Sequence, residues 1–178
     1  MKTFQRIPVL LSLLFAAASA PAQFSIAPLT TFGGGDGWLA NGESSFLAND
    51  NLARGLAYGN NHLYLASRTT GNNVRILDPL TGADLGGLNL SGVSGGTFAI
   101  NMVSVGGDGA IYVGNLTTQA STTPFKVYRW ATESSVPTTV YNGTPIQGGR
   151  VGDSLDAIGS GSSTLLVAGF GSTPSTNG

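Results

Sequence analysis

The chain has 178 residues, of which 41% are hydrophobic and only 10% are charged, and its formal net charge is −1. This length supports one domain with a buried core, and low charge with 27 glycines favours turn-rich β-structure over disorder. The absence of cysteine excludes disulfides, thiolate nucleophiles and cysteine-ligated metals. The basic residues are scattered along the sequence, so we expect no nucleic-acid partner.

Residues 1–22 have the three parts of a secretory signal. Lys2 and Arg6 form a basic segment, Val9–Ala18 is an apolar run, and Ala20-Pro21-Ala22 is a small-residue cleavage site. The apolar run is too short for a transmembrane helix, which needs about 20 residues. The sequence therefore predicts a secreted or periplasmic protein that is cleaved after Ala22 and has no membrane span in its mature form.

Residues 23–50 are predicted to form an N-terminal strand followed by a glycine-rich loop. The strand covers Phe24–Phe32 and contains Pro28, which belongs at a sheet edge. Three apolar side chains are expected to anchor the loop: Trp38, Phe46 and Leu47.

The stretch Asn60–Leu90 indicates three short strands, at Leu63–Ser67, Val74–Leu77 and Leu85–Leu90. The second and third strands are separated by Asp78-Pro79-Leu80-Thr81-Gly82, in which proline presets φ and glycine accepts a left-handed conformation.

The design of this unit recurs twice, with strands that align as Leu63–Ala66, Ile111–Gly114 and Leu165–Ala168. The spacing of about 50 residues is the period of a four-stranded propeller blade. We therefore predict an all-β, incomplete β-propeller of four-stranded antiparallel blades; a β-sandwich is the competing architecture. The predicted units are blade 1 (51–98), blade 2 (99–146), and a partial blade 3 with the tail (147–178). Three side chains are expected at equivalent buried positions: Leu65, Val113 and Val167.

The first unit resembles the YVTN-type β-propeller repeat. Leu63-Tyr64-Leu65 stands for its first strand, Asn73–Asp78 for its second, and Thr81-Gly82 for its turn. The resemblance implies a secreted bacterial propeller that binds partners at the cell surface, or one of the propeller enzymes.

Gly152-Asp153-Ser154-Leu155 spells the GDSL motif of a serine hydrolase family. A nucleophilic serine needs a base and an oxyanion hole, and in that family the base lies downstream. The only histidine here, His62, lies upstream. We therefore interpret the motif as a tight turn and predict no catalytic residue.

Four further patterns have a functional and a structural interpretation. His62 suits metal ligation or a solvated turn, and the structural interpretation is favoured. A set of oxygen-bearing side chains suits calcium or a solvated loop, and the solvated loop is favoured: Asp36, Asn41, Glu43, Asn49 and Asp50. An aromatic set suits sugar stacking or packing between blades, and packing is favoured: Tyr64, Tyr112, Tyr128 and Trp130. Three asparagines begin glycosylation sequons by pattern only: Asn89, Asn115 and Asn142.

The sequence therefore predicts an exported propeller-type binding or structural module, a fragment of a larger propeller, with no cofactor and no metal. Its expected partner is a protein or a glycan, and self-association through exposed strand edges is expected. The alternative is a piece of an extracellular propeller enzyme, such as a carbohydrate-active hydrolase or lyase. Asp153 with Asp156 is the only close acidic pair near a strand start.

Overall fold

The computed structural model describes residues 25–146 and 148–171, so the predicted signal segment lies outside the described residues. The described residues form two four-stranded antiparallel sheets, one two-stranded antiparallel sheet and two short 3-10 turns. The all-β prediction is confirmed. Within these ranges, no helix has the length and hydropathy needed to cross a bilayer.

Ten strands make up the three sheets. Sheet 1 contains β1 (Ala53–Gly59), β2 (His62–Ser67), β3 (Asn73–Leu77) and β4 (Asp84–Gly87). Sheet 2 contains β5 (Phe98–Val105), β6 (Ile111–Leu116), β7 (Phe125–Trp130) and β8 (Thr138–Gly143). Sheet 3 contains β9 (Arg150–Ile158) and β10 (Leu165–Gly171). The strands of each sheet pair in chain order, as a meander.

Local turn chemistry explains the hairpins of sheet 1. Asn60 and Asn61 join β1 to β2 with φ values of 51° and 59°, as a two-residue hairpin turn requires. Between β3 and β4, Asp78 Oδ1 accepts hydrogen bonds from the Leu80 and Thr81 amides at 2.9 and 2.8 Å. Gly82 then takes a φ of +74°. The first two predicted strands and the turn are confirmed, whereas the third strand is Asp84–Gly87 and not Leu85–Leu90.

The sheets stack in chain order, and their first strands, β1, β5 and β9, lie side by side. The close approach of β1 to β5 requires glycine, because a Cβ on Gly55 would lie 2.7 Å from the Val103 amide nitrogen. β6 is buried on both faces, as its continuous apolar run indicates. One core lies between sheets 1 and 2, and its largest members are Tyr64, Ile100, Ile111, Val113, Tyr128 and Trp130. A second core lies between sheets 2 and 3, and includes Tyr112, Phe125, Val127, Val151 and Ala157.

The three side chains predicted at equivalent buried positions, Leu65, Val113 and Val167, differ in their burial. Val113 is fully buried, whereas Leu65 is half-buried and Val167 is 52% exposed. In sheet 3, Leu166 pairs with the buried Ala157 and shares its face toward sheet 2. The counterpart of Val113 is therefore Leu166, and the predicted alignment of the third copy is wrong by one residue. Such a slip exchanges the two faces of a strand.

The N-terminal segment also differs from the prediction. Residues 25–29 have no regular structure and a 3-10 turn follows at Phe32–Gly35, so the described part of the expected strand is not a strand. Phe46 is buried as expected, but Trp38 is 67% exposed. The segment packs against the outer strands of sheet 1, where the Phe32 and Leu39 side chains approach Gly82.

Candidate functional site

Three of the chain's eight lysine and arginine residues converge at one end of the first strands of the sheets. Arg54 is the second residue of β1, Arg68 follows β2, and Arg150 is the first residue of β9. We call the group the arginine cluster, and define it as Arg54, Arg68, Asn101, Arg150 and Asp153. It draws residues from all three sheets into one place, although the basic residues are scattered along the sequence.

Asn101 lies at the centre of the arginine cluster and is fully buried. Its Oδ1 accepts hydrogen bonds from Arg54 Nε at 3.2 Å and from Arg68 Nη1 at 2.7 Å. Its Nδ2 donates to the Gly152 carbonyl oxygen at 2.7 Å. A side-chain amide is suited to this position because it is at once an acceptor for cations and a donor to a carbonyl group.

Arg68 is a partly buried cation of the arginine cluster. Its guanidinium carbon lies 3.9 Å from the centre of the Phe98 ring, a cation–π contact. Its buried Nε has no hydrogen-bond partner among the described residues. Burial, followed by the positive charges of Arg54 and Arg150, lowers the pKa of the Arg68 guanidinium. Two other positive charges therefore lie near the Arg68 guanidinium.

Asp153 is the carboxylate of the arginine cluster. Arg150 donates from Nη2 to Asp153 Oδ1 at 2.8 Å and from Nε to Oδ2, a bidentate pair. Arg54 Nη2 lies 3.8 Å from the same Oδ1. The hydrogen bond from Arg150 holds the pKa of Asp153 below its ordinary value. Two of the three guanidinium groups thus face the one carboxylate, and the arginine cluster carries an excess of positive charge.

The GDSL residues lie within a strand. Ser154 is in β9, and its Oγ accepts a hydrogen bond from the Gly169 amide of β10 at 2.9 Å. The predicted tight turn at this position is wrong. Asp153 is bound by Arg150, whereas Asp156 Oδ1 accepts a hydrogen bond from Ser104 Oγ at 2.8 Å. The two members of the predicted acidic pair are thus held by different partners.

His62 has a carboxylate beside it that sequence reasoning missed. Its Nδ1 lies 2.6 Å from Glu133 Oε1, and the Tyr64 hydroxyl donates to that same oxygen at 2.6 Å. Asn60 Nδ2 donates to the Tyr64 hydroxyl at 2.9 Å. Burial, and then the hydrogen bond to Glu133, raises the pKa of Tyr64. These contacts link the β1–β2 hairpin to the loop that follows β7.

The acidic residues of the N-terminal loop stabilise local turns. Asp36, Glu43 and Asp50 accept hydrogen bonds from backbone amides two or three residues away. Within residues 25–146 and 148–171, no group of three or more histidine, cysteine, aspartate or glutamate residues could hold a metal ion.

The predicted aromatic set is enclosed between the sheets. Tyr64, Tyr112, Tyr128 and Trp130 are at most 3% exposed, so their ring faces are covered by neighbouring side chains rather than open to a sugar. Asn115, the first residue of a predicted sequon, is fully buried. Its side chain hydrogen-bonds to the backbone of Pro124 and Lys126, so it is not an acceptor for a glycan in the folded protein.

The fold and the site together define an all-β protein of stacked antiparallel sheets with a basic cluster at the ends of their first strands. A family model described as "Domain of unknown function (DUF4623)" matches residues 39–167, and the chain therefore belongs to this family. A crystal structure of a DUF4623 family protein from Bacteroides eggerthii DSM 20697 is similar, with 27% sequence identity and a TM-score of 0.50. The similarity covers 59% of this chain but only 26% of that one. None of the curated proteins matches the chain.

The resemblance to the YVTN-type repeat is wrong, because the family that matches is DUF4623. The residues that suggested it do lie in strands and a turn of sheet 1: Leu63-Tyr64-Leu65 is in β2, and Thr81-Gly82 is in the turn before β4. A short strand–turn–strand pattern specifies local backbone geometry, which unrelated β-repeats share. It identified the strands and not the family.

Proposed function

We propose that the chain is an exported binding module built on a β-propeller-type scaffold, in which the three sheets are successive blades. The adjacent positions of β1, β5 and β9 support this arrangement, because the first strands of propeller blades surround a common axis. The meander order within each sheet is that of a blade.

The two end faces of the stack have exposed apolar side chains, as expected if further blades pack beside it. On sheet 1, Leu56 and Tyr58 are 62% and 63% exposed, and on sheet 3, Leu165 and Val167 are 65% and 52% exposed. The side chains between sheets 1 and 2 are instead buried. Apolar faces of this kind pack against neighbouring units in repeat proteins. The matched region is about a quarter of the B. eggerthii chain, so that protein has the length for additional units.

The arginine cluster is the observation that carries the binding function. A stacked scaffold needs no charged group at the ends of its inner strands for stability, since a buried or partly buried ion pair contributes little to it. The cluster nevertheless holds half of the basic residues that follow the predicted signal segment. Its Arg54 and Asp153 side chains are 26% and 44% exposed, so a ligand can reach them.

Two measurements test the proposal. Mass spectrometry of the exported protein should find an N-terminus at Gln23; an intact Met1 in a membrane fraction would contradict export. A glycan array and a screen of surface proteins should identify a ligand whose signal decreases in the Arg54→Gln variant. Arg75→Gln is the matched control, because Arg75 makes its own bidentate pair with Asp84 on the outer strands of sheet 1. Equal signals from the two variants would contradict binding at the arginine cluster.

A further inference from the structure

We infer that the arginine cluster binds the carboxylate group of an acidic sugar, an inference that rests on the proposed binding function. The excess of positive charge is the first support. Arg54 and Arg68 both donate a hydrogen bond to one neutral oxygen, Asn101 Oδ1. The buried Arg68 Nε has no partner within the described part of the chain. Guanidinium groups in this arrangement present forked donors that match a carboxylate.

Asp153 shows that the cluster can hold a carboxylate in a bidentate manner. Both of its oxygens accept hydrogen bonds from Arg150, and one of them faces Arg54 at 3.8 Å. Asp153 is also half-exposed, so it can turn away into solvent. An incoming carboxylate would then take its place beside Arg54 and Arg150. Asp153 therefore competes with the ligand, because the two negative charges repel each other.

The groups beside the arginines favour a sugar over a simple anion or a peptide. The Phe98 ring, which contacts Arg68, is 40% exposed and offers an apolar surface. The preceding residue, Thr97, has its Oγ1 2.9 Å from Thr118 Oγ1, and both threonines are exposed. An aromatic surface with a few polar groups beside it is the usual composition of a small-ligand site. A uronic acid carries both the carboxylate and the hydroxyl groups that these residues can bind.

Calorimetric titration of the secreted full chain tests the inference. The probes are trigalacturonate, the uncharged galactotriose and a tetraglutamate peptide. We expect trigalacturonate to bind and galactotriose to bind at least roughly tenfold more weakly, the effect of losing one charge-assisted interaction. Binding should weaken as sodium chloride is raised, since salt screens the attraction.

Two variants extend the test. Arg54→Gln should weaken trigalacturonate binding roughly tenfold, whereas Asp153→Asn should strengthen it because the competing carboxylate is gone. If these residues had only a structural role, one variant would not weaken binding while the other strengthens it. Arg75→Gln is the control and should bind as the unmodified protein does.

Several outcomes would overturn the inference. These are unaltered binding by Arg54→Gln, weaker binding by Asp153→Asn, equal binding of galactotriose, or binding of tetraglutamate in place of trigalacturonate. If a neutral glycan or a peptide bound and depended on Arg54, the acidic-sugar inference would fail while the proposed binding function stood. The absence of any ligand from the array and the protein screen would instead refute the binding function itself.

Discussion

Replacing each of two buried asparagines by aspartate tests whether the arginine cluster carries an excess of positive charge. Asn101 in β5 and Asn115 in β6 are both 0% exposed, so an aspartate at either position places a carboxylate in the interior. At position 101 the carboxylate would face the Arg54 and Arg68 guanidinium groups, which contact Asn101 Oδ1 at 3.2 and 2.7 Å. At position 115 it would face the Pro124 carbonyl group and one backbone amide, that of Lys126.

The contacts give the expected magnitudes. Asn101→Asp loses the 2.7 Å hydrogen bond to the Gly152 carbonyl group, which costs about 1 to 3 kcal/mol when the carbonyl oxygen is left unpaired. Charge-assisted hydrogen bonds from two arginines offset most of that cost, so the net loss of stability should be about 1 kcal/mol. Asn115→Asp leaves a buried charge with one backbone donor, and the expected loss is about 4 kcal/mol. The difference of about 3 kcal/mol corresponds to a Tm difference of roughly 6 to 12 °C for a chain of this length.

Urea denaturation followed by tryptophan fluorescence measures both variants. Trp130 is fully buried and donates from Nε1 to the Asn89 carbonyl oxygen at 2.7 Å, so its emission changes on unfolding. Trp38 is 67% exposed and contributes a nearly constant background. Equal destabilisation by Asn101→Asp and Asn115→Asp would refute the assignment of excess positive charge around Asn101.

Two further predictions concern the core and the acid stability. Val113→Asp places an unpaired charge in a strand buried on both faces and should unfold the protein. Val167→Asp, at a 52% exposed position, should melt within a few degrees of the unmodified chain. Similar melting of the two variants would contradict the assigned register. Hydrogen bonds from the Thr81 side chain and amide, and from the Leu80 amide, lower the pKa of Asp78. Its contribution is therefore present above the unfolded-state pKa and is lost as the pH falls through the folded-state value, so Asp78→Ala should flatten the acid limb of a plot of unfolding free energy against pH.

The elements that could be predicted from sequence are those that local chemistry determines. Asp78 and Gly82 specify a turn through hydrogen bonds to neighbouring amides and through a left-handed φ, so the strands on either side are fixed by a few adjacent residues. Residues 25–32, which were predicted as a strand, have no such local signal. They are held by tertiary contacts such as the 2.6 Å hydrogen bond from Thr31 Oγ1 to the Leu80 carbonyl oxygen. Apolar content alone therefore predicted a strand where none forms.

The register of the third sheet could not be predicted, for a different physical reason. A run of apolar residues such as Leu165–Ala168 suits either face of a strand, so the side-chain pattern does not specify which residues point inward. Pairing with β9 determines which residues of β10 face sheet 2. Leu166 lies opposite Ala157, and the Ala157 amide donates to Ser104 Oγ of sheet 2 at 3.0 Å. The information needed to place β10 therefore lies in another sheet.

The repeat period explains how the arginine cluster forms and how it could have been found. Arg54 and Asn101, joined by a hydrogen bond, are 47 residues apart, and Asn101 and Gly152 are 51 apart. Other hydrogen bonds between neighbouring sheets have nearly the same separation: 49 for Asn60 to Gly109, 52 for Ser104 to Asp156. Each is about one repeat, because stacking brings equivalent positions of successive units together. The repeat period could therefore have indicated the site, because polar residues near the starts of successive repeats become neighbours in space. Stacking can in this way concentrate positive charge at one end of the sheets, although the basic residues are far apart in sequence and no local motif indicates the cluster.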